Sequence, residues 1–483
     1  MSMLTVADSV VFDAQTVRRF DINGPRYTSY PTADRFVPLA PDRGQYWLSR
    51  RAAGKKEALS LYFHLPFCPT ICYYCACNKI ITKDHGRSAK YLRYIAREIA
   101  LQRRFLAGDD NLVEQLHWGG GTPTFLSHDE MRQLMAATRR HFRLHEGGEY
   151  SIEVDPRKVD ADTVKLLGEL GFNRMSVGVQ DFDTAVQQVI NRRQSEEETF
   201  SVIAAARANG FRSVSIDLIY GLPRQTVESF ARTLERTLAA APDRLSIYNY
   251  AHLPGLFKPQ RRIPDADLPT AEARLQILAL AIRTLTDAGY VFIGMDHFAK
   301  PEDDLAVAQR EGRLHRNFQG YSTFPECDML AFGISAISQV GSAYYQNFKT
   351  LDAYYSALDG GELPIFRGIE LDADDRLRRA VIQGLMCHFA LDFAAVEAVA
   401  QREFGHSAPS CQGADGPGFD GFETYFAAEL RALADMIEAG LLTIENRRLR
   451  VLPKGRMLIR GIAMVFDRRL RADRERRRYS RVI

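Results

Sequence analysis

The sequence predicts an α/β fold, namely a partial or full parallel (β/α) barrel with an N-terminal lid segment and a smaller, mostly helical C-terminal domain. From about residue 59, short apolar runs alternate with helix-period segments at a spacing of roughly 30 residues, which is typical of repeated βα units. After about residue 360 this alternation stops, and helical segments lead into a hairpin. We place the lid at 1–55, the barrel at 56–360 and the C-terminal domain at 361–483.

The barrel strands are predicted from β-rich apolar segments bounded by turn residues. They are 59–65, 113–119, 149–155, 174–180, 213–219 and 244–250. Helices lie between them. One is SAKYLRYIAREIALQ, which carries Leu92, Ile95 and Ile99 on one face. Another follows Ser195, whose hydroxyl and the carboxylate of Glu198 form the pattern of a capping box.

Alternation within the strands separates an apolar face from a polar one. The apolar face carries Leu61, Phe63, Leu65, Tyr150, Ile152, Val154, Met175, Val177, Val179, Val214, Ile216 and Leu218. The polar face carries Tyr62, His64, His117, Ser151, Glu153, Asp155, Ser176, Gly178, Gln180, Ser215 and Asp217. In a parallel barrel the second face points into the lumen, where polar groups need partners. We therefore expect a ligand-filled lumen. The alternatives are a satisfied polar network or a register shifted by one residue.

The segments outside the barrel are predicted from their turn residues and their helical and hairpin patterns. GPRYTSYPTADRF (24–36) is polar and rich in turn residues, as a lid would be. Helices are expected near 374–389 and 422–438, followed by a hairpin over 440–453 with Asn446 in the turn and a helix with an apolar face. That face contains Leu458, Ile459, Ile462, Val465 and Phe466. This order suggests a winged-helix-like domain. The Gly/Pro-rich stretch 406–421 should be a loop, to which we assign no function.

Composition excludes several classes of function. The 483 residues are 46% hydrophobic and 25% charged with a net charge of +3, so no nucleic-acid partner is indicated. The terminal basic run RRLRADRERRRYSR is interpreted as solvated. Neither a signal peptide nor a membrane span is evident, because the most apolar helix-like run contains Arg283 and Asp287. We expect a cytoplasmic monomer in which structural disulfides are disfavoured.

Four of the seven cysteines lie within CPTICYYCAC (68–77), directly after the first predicted strand. The spacing is C-x3-C-x2-C-x-C, which suits the short loops that hold iron–sulfur clusters. Zinc sites usually combine two pairs across a longer span, so zinc is the weaker interpretation, and a nucleophilic cysteine would not need three companions. Cys327, Cys387 and Cys411 are isolated and are interpreted as ordinary thiols.

The spacing of Cys68, Cys72 and Cys75 resembles the CxxxCxxC signature of the radical S-adenosylmethionine (SAM) superfamily, and HWGGGTPT (117–124) resembles its glycine turn. Nearly the whole chain resembles one family, the oxygen-independent coproporphyrinogen III oxidases (coproporphyrinogen dehydrogenases). The matching motifs are GPRYTSYPTA, YFHLPFC, CNKI, QLHWGGGTPT, SIEVDPR, GVQDF, IDLIYGLPRQT, NYAHLP, GMDHFA, HRNFQGY and the terminal SRVI. The resemblance implies a radical SAM barrel that holds a [4Fe–4S] cluster and two SAM molecules.

The resemblance also implies roles for individual residues. Cys68, Cys72 and Cys75 would ligate the cluster and leave one iron open for SAM. The first SAM would be contacted by Tyr62, Gly120, Glu153, Ala251 and Ile337, and the second by Tyr74, Gly121, Thr122, Gln180, Arg192 and Asp217. Tyr62, Glu153 and Cys77 would serve catalysis, with Cys77 outside the ligand set. The family commonly has phenylalanine at position 74, so Tyr74 is a departure that keeps the ring.

The implied reaction is the oxidative decarboxylation of two propionates of coproporphyrinogen III to vinyl groups, which gives protoporphyrinogen IX in heme biosynthesis. A 5′-deoxyadenosyl radical would take hydrogen from each propionate, carbon dioxide would leave, and one electron would pass to an acceptor. An electron donor and an electron acceptor are therefore implied as partners. Arg26 is a candidate for holding a substrate carboxylate, or else a structural pin for its segment. The alternative function is a heme-binding chaperone of the same superfamily, which lacks the fourth clustered cysteine and the GPRYTSYPT segment.

Overall fold

The computed structural model describes residues 10–40, 42–53, 58–106, 112–324, 327–404 and 419–471. The chain divides into two compact units. The sheet unit comprises the described parts of Phe36–Thr284 and Glu326–Ile369, and the terminal unit comprises those of Met1–Arg35, Leu285–Pro325 and Glu370–Ile483. Residues 285–325 thus group with the two ends of the chain. The domain boundaries predicted from the sequence remain a proposal.

Seven parallel strands form the centre of the sheet unit. They are β1 (Leu59–Leu65), β2 (Leu112–Gly120), β3 (Arg143–Val154), β4 (Arg174–Gln180), β5 (Ser213–Tyr220), β6 (Arg244–Asn249) and β7 (Asp328–Phe332). Their order in the sheet is β7-β1-β2-β3-β4-β5-β6, and every neighbouring pair is parallel. Beyond β7 the sheet continues through Ile337–Val340, Ala343–Asn347, Ile365–Glu370 and Val37–Pro38. The predicted α/β class with a parallel sheet is confirmed.

Helices connect the strands, and several begin at side-chain caps. The helices are Asp42–Ala53, His85–Phe105, His128–His141, Ala161–Glu169, Thr184–Val189, Glu196–Ala208, Val227–Ala239, Ala271–Asp287 and Leu351–Asp359. The predicted capping box of Ser195 and Glu198 is present, and Ser127 forms another with Glu130. Ile95 and Ile99 have no exposed surface, as their predicted helix face requires. Within the described residues, no helix has the length and apolarity to cross a bilayer.

The strand register settles which face is polar. Across the sheet, Tyr62 pairs with His117, and His117 pairs with Ser151. Glu153 pairs with Ser176, and Gly178 pairs with Asp217, so the polar positions form one continuous face. The opposite positions, among them Phe63, Ile152, Val177 and Ile216, have no exposed surface. The alternative of a one-residue slip is therefore wrong, because it would exchange these two faces.

The terminal unit contains helices of four to sixteen residues and short strands. Its helices are Ala14–Phe20, Asp304–Arg310, Ala373–His388, Phe393–Phe404, Phe422–Tyr425, Ala427–Ala432, Ala434–Glu438, Ile459–Met464 and Arg468–Arg471. Its strands are Val291–Gly294, His297–Ala299, His315–Asn317, Gly320–Ser322, Ala390–Asp392, Leu442–Glu445 and Arg448–Val451.

The predicted C-terminal hairpin is present in the terminal unit. Asn446 and Arg447 occupy its two-residue turn with φ of 51° and 58°, the left-handed geometry that such turns favour. The expected single helix after the hairpin is instead a 3-10 turn, Pro453–Leu458, followed by Ile459–Met464. Most of the loop predicted at 406–421 and most of the terminal basic run lie outside the described residues.

A buried carboxylate, that of Glu98, ties the turn after β7 to the helix His85–Phe105. It accepts hydrogen bonds from the Gly333 amide at 2.8 Å, the Asn347 amide at 2.7 Å and the Tyr354 hydroxyl at 2.6 Å. Glu98 has no exposed surface, and burial raises the pKa of its carboxyl to about 7, against the hydrogen bonds that lower it. The turn that leads to Ile337 is therefore fixed from inside the core.

This raised pKa predicts a pH-dependent stability. In the unfolded chain a glutamate titrates near pH 4.3, so from about pH 5 to pH 7 the folded chain retains a proton that the unfolded chain has lost. The stabilising contribution of Glu98 is fully present below the unfolded pKa and is lost as the pH rises through about 7. Between pH 5 and pH 8 this loss amounts to about 2–3 kcal/mol.

We expect the melting temperature of the unaltered chain to exceed that of Glu98→Gln by more at pH 5 than at pH 8. Thermal melts of both proteins at the two pH values measure this difference. Glu169→Gln, at an exposed helix position, is the matched control and should show no such change. An equal difference at both pH values would contradict the assignment.

Candidate functional site

A pocket lies at the carboxyl ends of the parallel strands, the edge where ligands of parallel sheets collect. Strands β2 to β6 each supply residues to its wall, and β1 leads into the loop that forms another part of it. The cysteine loop (68–77) follows β1, and the glycine turn (119–122) follows β2. Most predicted site residues line this pocket, namely Cys68, Cys72, Tyr74, Cys75, Cys77, Gly120, Gly121, Thr122, Glu153, Gln180, Arg192 and Asp217. The wall also includes Lys79, Asp155 and Arg157, for which the sequence predicted no role in the site.

The cysteine loop is held by contacts to its main chain. Residues Phe67–Cys68 pair with Ile80–Ile81, which closes the base of the loop. The carbonyl of Ile71 accepts a hydrogen bond from the Asn191 side chain at 2.6 Å, and that of Tyr74 accepts one from Gln260 at 3.0 Å. The Lys79 ammonium donates to the carbonyl of Cys75 at 2.8 Å. Three separate side chains therefore set the path of the loop.

The four clustered thiols have different surroundings. Burial raises the pKa of Cys68 to about 11, although the Thr122 hydroxyl donates to its sulfur at 3.4 Å. A hydrogen bond from Cys77 lowers the pKa of Cys75 to about 6, and the same bond raises the pKa of Cys77. Cys77 itself lies at the surface. The fourth cysteine is thus a neighbour of the third.

Two arginines approach the sulfur of Cys72 from one side. Nη2 of Arg157 and Nη1 of Arg192 each lie 3.8 Å from Cys72 Sγ. Asp155 holds both guanidiniums, through bonds of 2.9 and 2.6 Å from Arg157 and one of 3.4 Å from Arg192. Burial would raise the pKa of the Asp155 carboxyl, but its bonds to Arg157 and the nearby positive charges lower that pKa overall.

The glycine turn packs its main chain directly against the main chain that precedes the cysteine loop. A Cβ on Gly121 would lie 2.6 Å from the carbonyl carbon and oxygen of Pro66, and its amide donates to Leu65 at 2.9 Å. Gly120 has a φ of 113°, which side chains rarely adopt, and its amide donates to Glu153 Oε2 at 3.0 Å. Glycine here lets the turn reach both the cysteine loop and the carboxylate of β3.

A hydrogen-bonded aromatic group lies beside Glu153. The Tyr62 hydroxyl lies 3.2 Å from His64 Nδ1, and His64 Nε2 lies 2.9 Å from the Asn78 carbonyl, so Nε2 donates and Nδ1 accepts. The ring of His117 stacks on that of Tyr62, with centroids 5.8 Å apart. His117 also contacts Ser151 Oγ at 2.6 Å and Glu153 Oε1 at 3.4 Å.

This arrangement controls the charge of the carboxylates. Burial raises the pKa of Glu153, but hydrogen bonds from His117 and Gly120 outweigh it and lower the pKa overall. For Asp217 burial prevails and raises the pKa to about 6, despite a 2.7 Å hydrogen bond from Ser176. The alternation of β1 and β2 already placed His64 and His117 on the polar face. The contact of His64 with Tyr62 and that of His117 with Glu153 could not be predicted from the sequence.

Comparison with known proteins identifies the family. Residues 62–237 match the Radical SAM superfamily. The oxygen-independent coproporphyrinogen III oxidase of Pseudomonas aeruginosa is 49% identical over 99% of this chain and 100% of its own length. The protein of that name from Escherichia coli is 47% identical over 98% of both chains.

The solved structure of Escherichia coli coproporphyrinogen III oxidase (HemN), described as a radical SAM enzyme, aligns with a TM-score of 0.87. It is 45% identical to this chain and covers 96% of this chain and 100% of its own. The chain belongs to the oxygen-independent coproporphyrinogen III oxidases. As a radical SAM enzyme of this family, it uses a [4Fe–4S] cluster and SAM.

The donors in the pocket fit the cluster of a coproporphyrinogen III oxidase. The thiols of Cys68, Cys72 and Cys75 line the pocket, and two guanidiniums beside Cys72 compensate thiolate charge. A cluster of four irons gives each thiolate its own iron, so three separate thiols with cationic neighbours fit its ligand set.

Four residues predicted for the oxidase site do not line the pocket. Tyr62 lies beside it, within the aromatic group described above. The carbonyl of Ala251 accepts a 3.2 Å hydrogen bond from Gln260, the residue that also holds Tyr74. Ile337 begins the strand after β7. Arg26 belongs to the terminal unit, where its guanidinium forms an ion pair with Asp296.

The close packing of Gly121 predicts an effect of a single methyl group. Gly121→Ala should displace the start of the cysteine loop, because the added Cβ meets main-chain atoms that cannot rotate away. We expect a loss of roughly 1–3 kcal/mol in unfolding free energy and a lower iron content. Gly255→Ala is the control, since nothing lies within 4 Å of a Cβ there. Equal melting temperatures and iron contents in the two variants would rule out the close approach.

Proposed function

We propose that this chain converts coproporphyrinogen III to protoporphyrinogen IX by oxidative decarboxylation of two propionate side chains without oxygen. The observation that carries the proposal is the shared pocket. Cys68, Cys72 and Cys75 line it together with Glu153 and Asp217, at the carboxyl ends of the parallel strands. The full-length similarity to oxygen-independent coproporphyrinogen III oxidases gives the substrate and the reaction.

The three cysteines would hold the cluster, and the pocket would hold two SAM molecules. When bound, these groups supply the radical abstraction of hydrogen from an unactivated carbon that no side chain can perform. Gly120 and Glu153 are joined by a hydrogen bond and would contact the first SAM, together with Tyr62, Ala251 and Ile337. The second SAM would be held by Tyr74, Gly121, Thr122, Gln180, Arg192 and Asp217, all in the pocket wall.

The chain's own groups would orient these ligands and exclude water. An ionised Glu153 offers an acceptor for an amino group, and the lowered pKa keeps it charged at neutral pH. By the resemblance to oxygen-independent coproporphyrinogen III oxidases, Tyr62 and Cys77 would serve the reaction rather than hold iron. Tyr62 stacks on His117, which contacts Glu153, and Cys77 lies next to Cys75. Arg26 remains a candidate for a substrate carboxylate, and its pairing with Asp296 equally suits a structural pin.

The proposal requires further partners. One electron must reach the cluster for each SAM consumed, and one must leave after each decarboxylation, so the enzyme needs an electron donor and an electron acceptor. We propose that it acts as a monomer in the cytoplasm.

The deciding experiment is turnover by the purified protein, reconstituted with iron and sulfide under anaerobic conditions. Protoporphyrinogen should form from coproporphyrinogen III only when SAM and a reductant are both present. Tight stoichiometric heme binding without turnover would instead support the heme chaperone function and overturn the proposal.

Cysteine variants separate ligands from other roles. Cys72→Ser should lose both the cluster and all measurable turnover, because one of three iron ligands is removed. Cys77→Ser should retain the iron content yet lose turnover. Cys327→Ser, an isolated cysteine outside the pocket wall, is the control and should keep both. Iron analysis and product formation measure these outcomes. Retained turnover in Cys72→Ser would remove the ligand assignment.

A further inference from the structure

We propose that Arg157 sets the reduction potential of the iron–sulfur cluster through its contact with the sulfur of Cys72. The inference rests on the proposed ligation of the cluster by Cys68, Cys72 and Cys75. Arg157 would act on the cluster as a positioning and electrostatic residue, while Cys72 remains the ligand.

The guanidinium of Arg157 is held in one orientation. Its Nε and Nη2 donate to the two oxygens of Asp155 at 2.9 and 2.6 Å, a bidentate pair, and its main-chain amide donates to Asp155 Oδ1 at 3.2 Å. The Arg157 side chain is 13% exposed and that of Asp155 is 8% exposed. A flexible surface cation would be solvated and mobile, whereas this one is fixed against the pocket wall.

The fixed guanidinium faces one sulfur. Arg157 Nη2 lies 3.8 Å from Cys72 Sγ, within hydrogen-bonding distance for sulfur. Arg192 Nη1 lies at the same distance, so Cys72 has two cationic donors, whereas the hydrogen bond from Thr122 to Cys68 Sγ comes from a neutral hydroxyl. Two arginines and one aspartate leave a net charge of +1 beside Cys72.

This charge acts on the two oxidation states of the cluster unequally. Reduction adds one electron, so a neighbouring cation and its N–H donors stabilise the reduced form more than the oxidised form. Hydrogen bonds to the sulfurs and local charge are among the factors that set the potential of iron–sulfur clusters. Arg157 therefore makes the cluster easier to reduce. Loss of one charged hydrogen bond of ordinary strength should change the ratio of reduced to oxidised cluster by about tenfold.

The test is a redox titration of the reconstituted full chain, followed by the electron paramagnetic resonance signal of the reduced cluster. SAM and coproporphyrinogen are left out, so that their binding does not contribute. In Arg157→Gln we expect about tenfold less reduced relative to oxidised cluster at a fixed potential, which is a midpoint about 59 mV more negative. Arg157→Lys keeps the charge without the planar fork and should shift less.

Lys158→Gln is the matched control. Lys158 is the next residue and is exposed, so its variant loses the same charge without loss of a contact to sulfur. Its midpoint should equal that of the unaltered chain. Equal shifts in Arg157→Gln and Lys158→Gln, or no shift in Arg157→Gln, would overturn the proposal. So would an unchanged midpoint accompanied by a raised KM for coproporphyrinogen III, since Arg157 would then bind substrate.

The two proposals fail in different ways. If the unaltered chain forms no paramagnetic [4Fe–4S] cluster after reduction, the ligand assignment is wrong, and the proposed function fails with it. If the cluster forms and only the shift is missing, the role of Arg157 alone is wrong. Where Arg157→Gln does not retain iron, Arg157→Lys is compared with Lys158→Gln, and equal midpoints would again overturn the proposal.

Discussion

The whole site depends on one constraint, the burial of a polar strand face inside a parallel sheet. Parallel strands are covered on both sides, so a polar side chain on either face leaves bulk water and must find a hydrogen-bonding partner. Here the partners are other strand residues. His117 is shared between Tyr62, Ser151 and Glu153, and Ser176 serves Asp217. Each strand thereby fixes the side chain of its neighbour, and the pocket wall acquires a defined shape.

Sequence periodicity predicted this framework well, because both patterns are local. The bounds of β1 and β4 follow from alternation, the helix at Glu196 follows from its capping box, and the hairpin turn follows from Asn446. Contacts between distant segments were not predictable in this way. Residues 285–325 group with both ends of the chain, and no periodicity in the sequence indicates this.

The same limit applies within the site. The cysteine spacing and the motifs around it predicted the cluster ligands, because that spacing resembles the radical SAM signature. Arg157 was visible only as the last letter of SIEVDPR, and Lys79 as the third of CNKI. Their importance comes from where the folded chain places them, against Cys72 Sγ and the Cys75 carbonyl. A sequence reveals which groups a reaction needs more readily than it reveals which neighbours tune those groups.

The support of the cysteine loop has a consequence for the protein that has lost its cluster. Asn191, Gln260 and Lys79 hold its carbonyls through bonds that involve no metal. The entropy cost of ordering the loop is therefore met by folding and not by metal binding. These three hydrogen bonds would persist if the cluster were lost, so the apoprotein would keep a supported loop on which a new cluster could be assembled.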